Sequence, residues 1–152
     1  MRKGIMSKLI LLVEDNASDE KLTLLALKKC EVPNHVLVVR DGAEALEFLF
    51  ATGAYAERDA ANLPALVLLD LKLPKISGVE VLRRIRSDLR TSALPVVILT
   101  SSKQDEDLAE GYSSGANAYV RKPVAYAEFL AAAKAIGAFW LSLNEVPSVV
   151  TR

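Results

Sequence analysis

The chain has 152 residues, about half of them apolar and a quarter charged, enough for one domain with its own core. Its 19 basic residues balance 19 acidic ones, so overall charge draws it neither to nucleic acid nor to an anionic lipid surface. The single cysteine, Cys30, excludes an internal disulfide, and the run Leu9–Val13 is too short for a membrane span or a signal sequence. A cytoplasmic protein is expected, with residues 1–7 and 144–152 as tails around a folded unit over 8–143.

Taken in chain order, short apolar runs alternate with segments of helical period. Leu9–Val13 is apolar at every position, and so are Leu66–Leu69 and Val96–Leu99. Such runs mark strands of a sheet covered on both faces. Ser18–Lys29 carries Leu22, Leu25 and Ala26 at helical spacing, and His35–Val39 is a second short strand. A helix starts at Asp41 or Gly42 and runs to Phe50, followed by a long loop, Ala51–Leu63. Ser77–Arg86 sets Val81, Leu82 and Ile85 on one side, leaving Arg83, Arg84 and Arg86 as a solvated face. Lys103–Ser114 is a weaker helix, because Gly111, Ser113 and Ser114 are poor interior residues, and it is the expected low-stability mover. Ala118–Val120 is the last strand. Ala125–Leu143 is the longest helix, with Phe129, Ala132, Ala133, Ile136, Trp140 and Leu143 as its inner stripe. Cys30 reads as a core residue at a helix end and His35 as structural or surface. The β-α unit repeated five times gives an α/β fold: a doubly wound five-stranded parallel sheet in a three-layer α/β/α sandwich.

Such sheets bind ligands at the carboxyl ends of their strands. Glu14 and Asp15 end the first strand, Asp70 the third, Thr100-Ser101 the fourth, and Lys122-Pro123 follows the fifth. Carboxylates gathered on one edge repel, by about 1–4 kcal/mol per pair at 4 Å. A hard divalent cation removes that cost, and with no Cys or His cluster in the chain, Mg²⁺ is the natural ion, with Mn²⁺ as substitute. Beside such an ion Asp70 can attack an electrophilic phosphorus, while Thr100 donates to one phosphoryl oxygen and Lys122 neutralises another.

These residues, with Asp70-Leu71-Lys72-Leu73-Pro74-Lys75-Ile76-Ser77-Gly78, make the chain resemble a response-regulator receiver domain of two-component signalling, with its flavodoxin-like fold, from about Lys8 to Leu143. The resemblance implies that Glu14 and Asp15 hold Mg²⁺ and that the Lys72 backbone carbonyl completes the metal site. It implies that Asp70 accepts the phosphoryl group and that Lys122 binds it. Thr100 becomes the switch hydroxyl and Tyr119 the switch aromatic. Lys72 and Ser102 hold positions that tune hydrolysis of the acyl phosphate in receivers, and the Lys122-Pro123 bond is expected to be cis. The family is a signalling one: it catalyses at most its own phosphorylation and dephosphorylation.

Phe139-Trp140-Leu141, the later Pro147 and the long 51–63 loop resemble single-domain regulators paired with bacterial phytochrome kinases. The implied partners are a sensor histidine kinase of that type and a downstream phosphotransfer or effector protein, since only nine residues follow Leu143. A homodimer through the last helix is expected, with Phe139, Trp140 and Leu143 as its anchors. Two other aspartyl or phosphate-binding classes fit less well. A haloacid-dehalogenase-type phosphatase wants a second Asp where Lys72 stands, and a flavodoxin phosphate loop would be repelled by Glu14-Asp15. A phosphate-independent protein-binding module on the same fold stays open as the alternative.

Overall fold

The computed structural model describes residues 7–147. Five parallel strands form one sheet in the order β2-β1-β3-β4-β5: β1 Lys8–Val13, β2 Asn34–Val39, β3 Leu66–Leu69, β4 Val96–Thr100 and β5 Ala118–Arg121. Five helices cross between or follow them: α1 Ala17–Lys28, α2 Gly42–Phe50, α3 Gly78–Ser87, α4 Asp105–Ser113 and α5 Tyr126–Ala138.

Side chains alternate across the sheet. Leu11, Val13, Val67, Leu69, Val96 and Ile98 are buried in one cluster with residues of α2 and α3. Ile10, Leu12, Leu66, Leu68, Val97 and Leu99 are buried in the other, with Leu27 of α1 and Ile136 of α5. This two-sided burial is why the strands read as unbroken apolar runs. Local caps fix where helices begin. Asn16, Asp41 and Ser77 each accept from the backbone N–H three residues on, starting α1, α2 and α3.

Three expectations are corrected. No peptide bond among the described residues is cis; Lys122-Pro123 is trans, the isomer favoured by about 0.5–1 kcal/mol for X–Pro bonds. The inner stripe of the last helix ends on Leu141 (1 % exposed), while Leu143 is 72 % exposed. The cause is a π-helical turn, Phe139–Leu143, closed by the Asn144 N–H donating to the Phe139 carbonyl at 3.0 Å. That wider turn shifts the register that an α-helical count assumes. Arg86 is not part of a solvated face: its guanidinium donates to the carbonyls of Leu94 (2.7 Å) and Gly115 (2.8 Å) and to Asn117 Oδ1 (2.8 Å).

The 51–63 loop is built, too. It opens with a 3₁₀ turn, Gly53–Tyr55. Tyr55 packs edge-on against Phe48 and donates to Glu44 (2.8 Å), and Arg58 lies over the Phe48 ring while donating to the Phe48 carbonyl. Cys30 is buried, as expected, and lies close to Gly137 of α5. His35 is exposed and bonds Ser7 Oγ at 3.0 Å.

Candidate functional site

Strand order reverses direction between β1 and β3, the place where a doubly wound sheet opens a crevice. Register sets what stands there. Val13 pairs with Leu69, and the Asp70 N–H donates to the Val13 carbonyl at 3.1 Å, so Glu14 and Asp70 leave the sheet side by side. Thr100 pairs with Arg121, and the Lys122 N–H donates to the Thr100 carbonyl at 2.8 Å, which brings Lys122 to the same edge. The loop after Asp70 turns back tightly on itself. Gly78 makes this possible, because a Cβ there would lie 2.3 Å from the Asp70 carbonyl oxygen.

The Asp70 carboxylate accepts from three donors. Oδ1 accepts from Thr100 Oγ1 (2.9 Å) and from the Lys72 N–H (3.1 Å); Oδ2 accepts from Lys122 Nζ (2.9 Å). The same ammonium donates to Glu14 Oε1 (2.7 Å) and Asp19 Oδ2 (2.8 Å). Glu14, Asp70, Thr100 and Lys122 are all buried. Burial raises the Glu14 carboxyl above the usual carboxylate range, against the pull of its Lys122 partner. Burial would lower the Lys122 ammonium. Its bonds to Asp19 and Glu14 and the Asp70 charge outweigh that and hold it above the ordinary lysine value.

Asp15 is exposed at the mouth. Among the described residues no group of three His, Cys, Asp or Glu side chains is arranged to hold a metal ion; the three carboxylates that gather, Glu14, Asp19 and Asp70, close on the Lys122 ammonium. Glu14 and Asp70 are engaged with Lys122, and Asp15 faces solvent. The donor chemistry still suits a hard cation: carboxylate oxygens and the Lys72 carbonyl follow the strand ends, with no Cys or His among them.

Tyr119 lies on the α4 side, packed against the cluster that holds Ile98 and half-buried. Its hydroxyl is buried without a hydrogen-bond partner, and burial pushes the phenol up from its ordinary value. Gly111 of α4 lets the ring approach. A Cβ there would stand 3.1 Å from Tyr119 Cδ2 and 2.8 Å from Ile98 Cδ1. Ser102 donates to Asp107 of α4, whose other neighbour is the Lys72 ammonium at 3.7 Å.

The response regulator receiver domain model matches residues 10–134. The chain belongs to the response-regulator receiver family. Within it, the chain is 35 % identical to Response regulator Rcp1 of Synechocystis over 141 residues, 93 % of this chain and 94 % of that one. The crystal structure of the Mn²⁺-bound form of Rcp1 superposes with a TM-score of 0.85, covering 93 % of this chain and 99 % of that one. The phosphorylated cyanobacterial phytochrome response regulator RcpA superposes with a TM-score of 0.87 at 40 % identity, covering 94 % of this chain and all of that one. The bacteriophytochrome response regulator RtBRR is 49 % identical, with a TM-score of 0.74, over 93 % of this chain and 85 % of that one. This receiver is thus a signalling protein related to phytochrome response regulators, with the flavodoxin-like five-stranded fold those structures share. No helix among the described residues is long and apolar enough to cross a membrane.

Of the residues singled out in the sequence, the receiver fold brings Glu14, Asp70, Thr100 and Lys122 into direct contact, leaves Asp15 beside them in solvent, and sets Tyr119 on the next strand, paired with Ile98 two residues before Thr100. Phe139 is 45 % exposed and stacks edge-on with Trp140, which is half-buried against the sheet. Sequence reasoning missed Asp19. Its only signal was an acid in the first turn of a helix that starts at the site, four residues after Asp15.

Proposed function

We propose that this receiver is a phosphoryl-accepting switch whose acceptor is Asp70. The observation that carries it is the Asp70 carboxylate held at the sheet edge between Lys122 on one oxygen and Thr100 on the other. An Asp70 oxygen attacks the phosphorus of a phosphohistidine. The new bond is oxygen to phosphorus, the bond that breaks is phosphorus to ring nitrogen, and the histidine leaves with the electron pair. Lys122 and Thr100 then meet the charge on the phosphoryl oxygens. Glu14, Asp15, Asp70 and the Lys72 carbonyl would hold Mg²⁺, or Mn²⁺ in its place, as the Mn²⁺-bound Rcp1 structure suggests by likeness. When bound, that ion offsets the charge of the carboxylates and of the transferred group.

Thr100 drawn toward the phosphoryl group frees space on the α4 side that Tyr119 fills, and the surface of α4, β5 and α5 changes its affinity for partners. The size of that shift is set by how differently the phosphoryl group contacts the two states. Likeness to RcpA and RtBRR supports a phytochrome-type histidine kinase as the donor; we propose a downstream effector or phosphotransfer protein as the receiver's target and a cytoplasmic setting. A second copy docked on the last helix is the further partner we propose, through Phe139 and Leu143 with Trp140 beneath them. Sedimentation should find a dimer that Phe139→Glu converts to a monomer; a monomer throughout refutes it.

The test is intact mass after incubation with acetyl phosphate and Mg²⁺. One phosphoryl group should be gained, and lost in Asp70→Asn and with EDTA. No gain from acetyl phosphate or from a kinase, together with no Mg²⁺ binding, would favour the phosphate-independent binding module instead.

A further inference from the structure

Lys122 is held by three carboxylates, and one of them, Asp19, has no part in the chemistry above. An ammonium has three N–H donors. Here all three are taken, by Glu14 Oε1, Asp19 Oδ2 and Asp70 Oδ2 at 2.7, 2.8 and 2.9 Å. Phosphorylation of Asp70 removes its carboxylate charge and ties one of its oxygens to phosphorus. The donor aimed at Asp70 is then the one that can pass to a phosphoryl oxygen, provided the other two stay fixed.

Asp19 is mounted to fix one of them. Its own N–H donates to Asn16 Oδ1 (2.9 Å), and its carbonyl accepts from Thr23 Oγ1 (2.8 Å), with Thr23 fully buried. The side chain therefore stands on an anchored first turn of α1, and it is the most exposed of the three carboxylates on the ammonium. Without it, Lys122 has a flexible four-carbon stem, and its spare donor turns to water.

We propose that Asp19 is a positioning residue for Lys122: it holds the ammonium so that its third donor points at the phosphoryl position. This rests on the reading of Asp70 as acceptor. The purely structural role of Asp19 would be an acid at a helix N-terminus, favoured by the helix dipole. Asparagine separates the two. Asp19→Asn loses the charge but keeps an oxygen that accepts from Lys122, whereas Asp19→Ala loses both.

The experiment measures the rate of phosphoryl gain from acetyl phosphate with Mg²⁺ in wild type, Asp19→Ala and Asp19→Asn. Losing one charge-assisted hydrogen bond that aims a reacting-site cation should slow the alanine variant about tenfold. The asparagine variant should stay within about threefold of wild type, because its oxygen still accepts. Alanine at the wild-type rate, or asparagine as slow as alanine, overturns the proposal. A second readout needs no phosphorylation: hydrogen exchange of the Lys122 ammonium, followed by NMR on ¹⁵N-lysine protein. Exchange should be slow in wild type and asparagine and fast in alanine; equal exchange in alanine and wild type also overturns it. A wild type that takes up no phosphoryl group from acetyl phosphate or from a kinase, and binds no Mg²⁺, would sink the acceptor reading of Asp70, and the exchange measurement would still judge Asp19.

Discussion

Replacing Lys122 with methionine removes the only cation among the described residues that touches the buried Glu14 and Asp70 carboxylates and the partly exposed Asp19, while keeping most of the side-chain volume. Each contact lies at 2.7–2.9 Å, which corresponds to about 6 kcal/mol of attraction at an effective dielectric of about 20. Desolvation of the ions cancels much of that, and the partly exposed Asp19 contributes less than the other two. The net cost of removing one partner from a buried ionic group is about 3–5 kcal/mol, and that is the expected loss near neutral pH. The loss should depend on pH in a set direction. In the wild type the Lys122 ammonium is held above its ordinary value, so its contribution is complete below the ordinary lysine range and is lost only as pH rises through the raised value. It is therefore constant between about pH 5 and 8. In the variant, carboxylates face one another in a buried site with no cation, and their folded-state pKa values rise above the unfolded ones. A raised acid is stabilising while protonated, so the variant loses stability as pH climbs through that window, by up to about 1.4 kcal/mol per unit for each proton. The wild type carries part of this slope already through Glu14, whose carboxyl burial raises. Urea unfolding of both proteins across the window, with and without Mg²⁺, is the assay. The deficit should be largest at the alkaline end, shrink toward the acid end, and shrink again when Mg²⁺ is added. A deficit below about 1 kcal/mol near neutrality, or one that does not change with pH, would refute Lys122 as the counter-charge of the cluster.

What the sequence made legible divides by how local the cause is. The Leu9–Val13, Leu66–Leu69 and Val96–Leu99 runs of β1, β3 and β4 are apolar at every position because both faces of the sheet are covered there, and that pattern needs no knowledge of neighbours. Glu14, Asp70, Thr100 and Lys122 could be singled out because each breaks or ends such a pattern at the same end of its strand. Their convergence then follows from parallel pairing, here Val13 with Leu69 and Leu99 with Val120. Asp19, Arg86 and Leu141 were not legible, for a shared reason. Asp19 matters through Lys122, more than a hundred residues away. Arg86 matters through carbonyls in the α3–β4 and α4–β5 loops. Leu141 is inside because a π turn, tied at the Leu141 carbonyl by Lys8 Nζ (2.6 Å), overrides α-helical counting. Gly111 was read as a flaw in a weak helix. It is the position where α4 must come close to Tyr119, and helix propensity cannot report a close approach.

Those tertiary features give the remaining predictions. Arg86→Met keeps the stem but strips the carbonyls of Leu94 and Gly115 of a charged donor, so it should cost about 2–3 kcal/mol in urea unfolding. A loss within about 0.5 kcal/mol, usual for surface substitutions, would return Arg86 to the solvated face. Gly111→Ala is the sharper case, because local and tertiary effects oppose each other. Removing a helix-interior glycine should gain about 1 kcal/mol, while a methyl group 2.8 Å from Ile98 Cδ1 and 3.1 Å from Tyr119 Cδ2 should cost about 1–3 kcal/mol through overpacking. The Tyr119 ring gives way more readily than Ile98, since it is only half-buried and its hydroxyl has no bond to lose. The variant should therefore be slightly less stable than wild type, and the Tyr119 ring resonances should shift before any phosphoryl group is present. A more stable protein with unmoved Tyr119 resonances would mean that α4 does not press on the ring, and Tyr119 would lose the contact through which a change at Thr100 could reach the α4 surface.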